Sequence, residues 1–120
     1  MKMDFEAILN EAHAAAREAI AKMGPENPRA LDCGFAWVKI SGNEPLARYC
    51  RKMVKTVGDA NMTAFNASRH YGRPGEPGWQ WWKPGGFPGQ AIGHHEAGAK
   101  AFNAVLAKHN IRGETGSRYD

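Results

Sequence analysis

Apolar residues recur at three- and four-residue steps over residues 4–23, where Phe5, Ile8, Leu9, Ala12, Ala16, Ala19, Ile20 and Met23 fall on one side of a helix. Asp4 is placed to cap its start, and Gly24 followed by Pro25 to stop it. The many alanines make this helix thin, so another element can pack closely on it. A loop at 25–32 contains Pro25, Asn27 and Pro28. Residues 33–40, Cys-Gly-Phe-Ala-Trp-Val-Lys-Ile, then alternate. Cys33, Phe35 and Trp37 point one way, Ala36, Val38 and Ile40 the other, and apolar character on both sides predicts a central strand buried on both faces.

A turn at Ser41, Gly42 and Asn43 leads into a second helix, with Asn43 as its cap and Pro45 in its first turn. Leu46, Tyr49, Cys50, Met53, Val54 and Val57 form its apolar stripe, and Gly58 ends it. Residues 59–92 carry weaker signals: a short strand between Met62 and Tyr71, another between Trp79 and Lys83, and ten Gly and Pro in the eighteen residues 72–89. A hairpin with an irregular tip and a long exit loop fits, and long loops in small domains are commonly functional or mobile. Residues 94–109 form the last helix, lined by Ala101, Phe102, Val105 and Leu106, with Asn110 as a left-handed cap and Ile111 packing back.

The order helix, strand, helix, strand, strand, helix predicts a small α+β domain over residues 1–111, its helices packed on one face of a short sheet. The tail at 112–120 is polar and without period, and reads as loose. At 120 residues the chain holds one such domain. No apolar run is long enough to span a membrane, and the N-terminus shows no apolar core of a secretory leader. With two cysteines, Cys33 and Cys50, in no metal or redox spacing, the expected setting is a reducing cytoplasm with two buried thiols.

The net charge is +4. Residues 39–55 hold Lys39, Arg48, Arg51, Lys52 and Lys55 against Glu44 alone, an excess equal to that of the whole chain. Arg48, Lys52 and Lys55 line one side of the second helix, with Arg51 beside them. A phosphate-contacting surface and an ordinary solvated helix face both fit this pattern, the lack of interleaved acids favouring the first.

The densest candidate chemistry lies at residues 69–83. Trp79 and Trp81 share one face of a strand, Trp82 takes the other, and Arg69, His70, Tyr71, Arg73 and Lys83 are close in sequence. Nucleobases stack on aromatic rings while nearby cations hold phosphate. The competing use of each ring is to fill the core of a small domain. Burying all three tryptophans together is difficult, so at least one is expected to face outward. His94 and His95 open the last helix, where free N–H groups attract anions. Adjacent histidines diverge on a helix, so no metal site and no cofactor is expected. His13 and His109 sit among apolar neighbours and read as structural.

Residues 33–40, residues 96–106 (Glu-Ala-Gly-Ala-Lys-Ala-Phe-Asn-Ala-Val-Leu), residues 12–17 and the closing Gly-Ser-Arg-Tyr-Asp of residues 116–120 resemble a family of small uncharacterised phage and prophage proteins. The resemblance covers most of the chain and implies a cytoplasmic accessory role, in the host cell if phage-encoded. It carries over no catalytic residue, and residues 74–88 are richer in Trp and Pro than the family pattern.

The leading expectation is a non-enzymatic binder of an anionic ligand, a nucleotide signal or a nucleic acid, serving counter-defence by sequestration or masking. One alternative is a protein-binding inhibitor that docks on a host factor through the Trp- and Pro-rich loop. Another is a small enzyme acting on a phosphoester or nucleotide, with His70 or His95 as acid or base and Arg73 as charge stabiliser. No motif fixes a catalytic pair, no membrane partner is implied, and a homo-oligomer is compatible with all three.

Overall fold

The computed structural model describes residues 3–26, 32–57, 67–71 and 77–119, with side chains outside 54–57, 67–71 and 77. The elements run α1 (Phe5–Lys22), β1 (Gly34–Ser41), α2 (Pro45–Val57), β2 (Ala67–Tyr71), β3 (Pro77–Trp82), α3 (Ile92–Lys108) and β4 (Gly113–Tyr119). The four strands form one antiparallel sheet in the order β2-β3-β1-β4, and the helices cover one of its faces. The α+β architecture expected from the hydrophobic pattern is the one observed.

The helix ends follow local chemistry. Asp4 accepts a bond from the Ala7 N–H at 3.1 Å, satisfying one of the free donors of the first turn of α1. Pro45 takes the first position of α2, where its missing N–H costs nothing. Beyond α3, Asn110 adopts φ 61° and the Ile111 N–H returns to the Leu106 carbonyl at 2.9 Å, which buries Ile111 against the helix end.

One core lies between the sheet and the helices. Ala36, Val38 and Ile40 of β1 and Trp79 and Trp81 of β3 face it, and Leu9, Ala12, Ala16, Leu46, Cys50, Phe102 and Leu106 fill it from the helices. The register pairs Val38 with Trp81 and Ile40 with Trp79, so both indoles land on the helix side. Trp81 packs against Phe102 with ring centres 5.3 Å apart.

Three expectations change. First, β1 is central, between β3 and β4, but only its Ala36–Val38–Ile40 face is buried, and Phe35, Trp37 and Lys39 are half-exposed on the other. Second, the segment expected to be a loose tail is an edge strand: β4 pairs with β1 from Gly34–Tyr119 through Ile40–Gly113. Its polar sequence offers no hydrophobic period. Ladder bonds to β1 hold it, with the bond from the Ser117 hydroxyl to the Glu96 carboxylate at 2.8 Å. Third, only one thiol is sealed. Cys50 is fully buried, and burial pushes its pKa up to about 12, while Cys33 is half-buried and both are free.

The Gly- and Pro-rich exit loop is pinned over the described residues 83–90. Pro84 is buried, and its carbonyl lies where a Cβ on Gly98 of α3 would sit, beside the Ile20 side chain of α1. Gly98 therefore lets loop, α1 and α3 meet without a spacer. The Gln90 N–H donates to the Glu26 carboxylate at 3.1 Å.

Candidate functional site

With helices on one face, the residues of the opposite face define the surface available to a ligand. On β1 these are Phe35, Trp37 and Lys39, and on β3 they are Gln80 and Trp82. The register adds Glu114, Gly116 and Arg118 of β4, which lie opposite Lys39, Trp37 and Phe35. Three rings form a continuous group there. Trp37 and Trp82, direct cross-strand partners, are stacked with planes 6° apart and centres 5.5 Å apart, and Phe35 lies 5.4 Å from Trp82. Trp82 is 36% exposed, the most open of the tryptophans.

Gly116 fixes how the group sits. A Cβ there would run into the Trp37 indole, so the absence of a side chain lets that ring pack closely against β4. Cations frame the rings. The Lys39 ammonium stands 5.9 Å from the centre of the Trp37 ring and that of Lys83 stands 5.7 Å from Phe35, within cation–π range. Arg118 is exposed beside Phe35 on the neighbouring strand, and Glu114 is the acid on this face. The result is a cluster of rings on the helix-free face with ammonium and guanidinium groups at its margins.

The residues singled out from sequence are dispersed. Trp79 is 7% exposed and Trp81 fully buried, so neither ring is available for stacking, and Trp82 with Trp37 takes that position. Lys83 stays with the site. Arg69 and His70 lie in β2, opposite Trp79 and Gly78, and Tyr71 lies opposite Pro77; their side chains, and the whole of Arg73, lie outside the described residues.

His94 and His95 are both buried. The His94 Nε2 donates to the Gly24 carbonyl at 2.8 Å and the His95 Nε2 to the Gly89 carbonyl at 2.9 Å, since a carbonyl can only accept. Phe87 stacks on His94 at 4.6 Å. The two rings thus tie the flanking loops to α3 instead of offering donors to an anion.

The tie predicts a pH dependence. Burial holds the His95 pKa below the ordinary value of 6.5, opposed by the bond to Gly89 and assisted by Lys83 and His94. The unfolded chain therefore takes up this proton first as pH falls. The stabilisation is complete above about pH 6.5 and declines as pH drops toward the folded value. Thermal unfolding followed from pH 8 to pH 5 should show a falling melting temperature, with a shallower fall in His95→Gln. An equal fall in that variant would remove His95 as the cause.

The basic stripe of α2 stands apart from this surface. Leu46, Ala47 and Cys50 point into the core, so Arg48, Arg51 and Lys52 point away from the sheet, on the far side of the molecule from the exposed rings. Arg51 donates to the Gly42 carbonyl at 3.1 Å, and the Lys55 side chain lies outside the described residues. His13 packs edge-on against Phe102 at 5.0 Å, and His109 bonds Glu11 at 3.1 Å, next to a Lys108–Glu11 ion pair.

Among the described residues no group of His, Cys, Asp and Glu is placed to hold a metal ion, and no helix is long and apolar enough to cross a membrane. Comparison with protein-family models, with characterised proteins and with solved structures finds no match to this chain.

Proposed function

We propose that this protein is a non-enzymatic binder of single-stranded nucleic acid and that the helix-free face of its sheet is the binding surface. The observation that carries the reading is the Phe35–Trp37–Trp82 group, half-exposed and framed by Lys39, Lys83 and Arg118. Every base has a π face, so a row of rings accepts successive unpaired bases with little regard to sequence, while cations at the margin meet the phosphates. An open sheet face suits a strand laid across it better than it suits an enclosed mononucleotide. Duplex is disfavoured because its bases are already stacked on one another. The phage-type resemblance supports a role in masking such strands.

Titrating a labelled single strand of about ten nucleotides against the protein, by anisotropy at several salt concentrations, tests this. Three cations contacting phosphate predict a log–log salt slope of about −2 for a single strand. A slope near zero, or equal affinity for duplex of the same sequence, would count against the surface.

A further inference from the structure

We propose that β4 is a self-association edge: two copies of this chain pair antiparallel, β4 on β4, about a two-fold axis through Gly116. The Lys83 N–H bonds the Ala36 carbonyl, so the backbone groups of Ala36, Val38 and Ile40 point toward β3. By alternation those of Phe35, Trp37 and Lys39 point toward β4, where they meet Arg118, Gly116 and Glu114. The backbone groups of Gly113, Thr115, Ser117 and Tyr119 then point outward from the sheet edge. Such an edge is a ready template for another strand.

The side chains select which strand. Glu114 and Arg118 stand two residues either side of Gly116, on the same face and with opposite sign. A two-fold axis at Gly116 sets Glu114 opposite Arg118 of the second copy, and Arg118 opposite its Glu114. Both fall at non-hydrogen-bonded positions, where antiparallel side chains come closest, with Cα atoms about 4.5 Å apart. The outward groups meet in phase: Thr115 faces Ser117, and Tyr119, 71% exposed, falls across the second copy's bare Gly113.

The helix side agrees. A cavity of about 560 Å³ lies between α3 and β4, bordered by Glu96 near Ser117 and by Lys100 and Thr115. The same axis turns the Glu96 end of each α3 toward the Lys100 end of the other. An edge strand carrying charges usually repels a copy of itself. Here the signs are placed so that one antiparallel register is attractive in both pairs.

The axis stands perpendicular to the sheet, so both aromatic faces lie on the same side of one continuous eight-stranded sheet, four strands from each copy. If the nucleic-acid reading holds, a strand long enough to cross the axis meets two ring groups.

Sedimentation velocity on the full chain tests the pairing, independently of nucleic acid. The expected species has twice the 13.2 kDa chain mass. Glu114→Arg or Arg118→Glu alone should raise the dimer dissociation constant about tenfold or more, and the two together should restore it. Thr115→Pro removes an outward N–H while leaving the bonds to β1, and should give a folded monomer by circular dichroism that still binds the labelled strand. A wild-type monomer up to millimolar concentration, a dimer indifferent to all these changes, or β4 amides protected only by a different protein's extended segment would overturn the proposal.

Discussion

Replacing Trp37 and Trp82 together by alanine is expected to abolish binding of a labelled single strand while leaving the chain folded. Each base stacked on an aromatic ring contributes about 1–3 kcal/mol. Losing two such platforms therefore removes about 2–6 kcal/mol, a weakening of at least ~30-fold. Folding is weakened as well: Trp82 is 36% exposed and Trp37 half-exposed, so truncation gives up part of each ring's burial, about 1–2 kcal/mol apiece, together with their mutual stacking, about 0.5–1.5 kcal/mol. Trp82→Ala alone should show an intermediate affinity. Undiminished affinity in the double variant, with a native circular dichroism spectrum, would remove the rings from the site.

Trp81→Ala is expected to produce the opposite separation. Trp81 is fully buried, lies opposite Val38 and packs against Phe102 in the centre of the core. Truncating a buried aromatic costs about 3–5 kcal/mol through lost transfer energy and the cavity left behind. Against a typical stability of about 5–15 kcal/mol that is about a fifth or more of what holds the fold. Its indole Nε1 meets no hydrogen-bond partner among the described residues. Trp81→Phe gives up volume but none of those bonds, so its loss should be clearly smaller. Urea unfolding of the two variants, read by circular dichroism, measures both. Adjacent tryptophans, Trp81 and Trp82, would then divide between stability and binding.

That division is where sequence and structure part. The three helices were legible because their apolar stripes carry a 3.6 period and their ends carry local chemistry: Asp4, Pro45 and Asn110 each occupy positions whose backbone requirement they meet. The hairpin of β2 and β3 was legible from its turn residues. The strand β4 was not, since Gly-Glu-Thr-Gly-Ser-Arg-Tyr has no alternation and its extended state comes from β1 and α3. The opening of one sheet face was missed for a related reason. Residues 33–40 are apolar on both sides, and whether a helix covers a given side is decided elsewhere in the chain. A signal was nevertheless present: Lys39 shares a face with Trp37, and Gln80 shares one with Trp82. A cation and an amide interleaved with aromatic residues mark the side that keeps contact with water.

The exit loop makes the reverse point. Its glycines and prolines read as a functional or mobile loop, yet the described residues 83–90 are held by Pro84 against Gly98, by Phe87 stacked on His94 and by the bond from His95 to Gly89. Turn chemistry is local and readable. What a turn packs against is not.

A nitrogen–proton NMR titration with an unlabelled single strand of about ten nucleotides, read at the four indole N–H signals, shows which face meets the ligand. The Trp37 and Trp82 signals are expected to move together with the amides of Lys39 and Arg118, while those of Trp79 and Trp81 stay in place. Shifts confined to Arg48, Arg51 and Lys52 on α2, or none at millimolar strand, would contradict binding on the helix-free face.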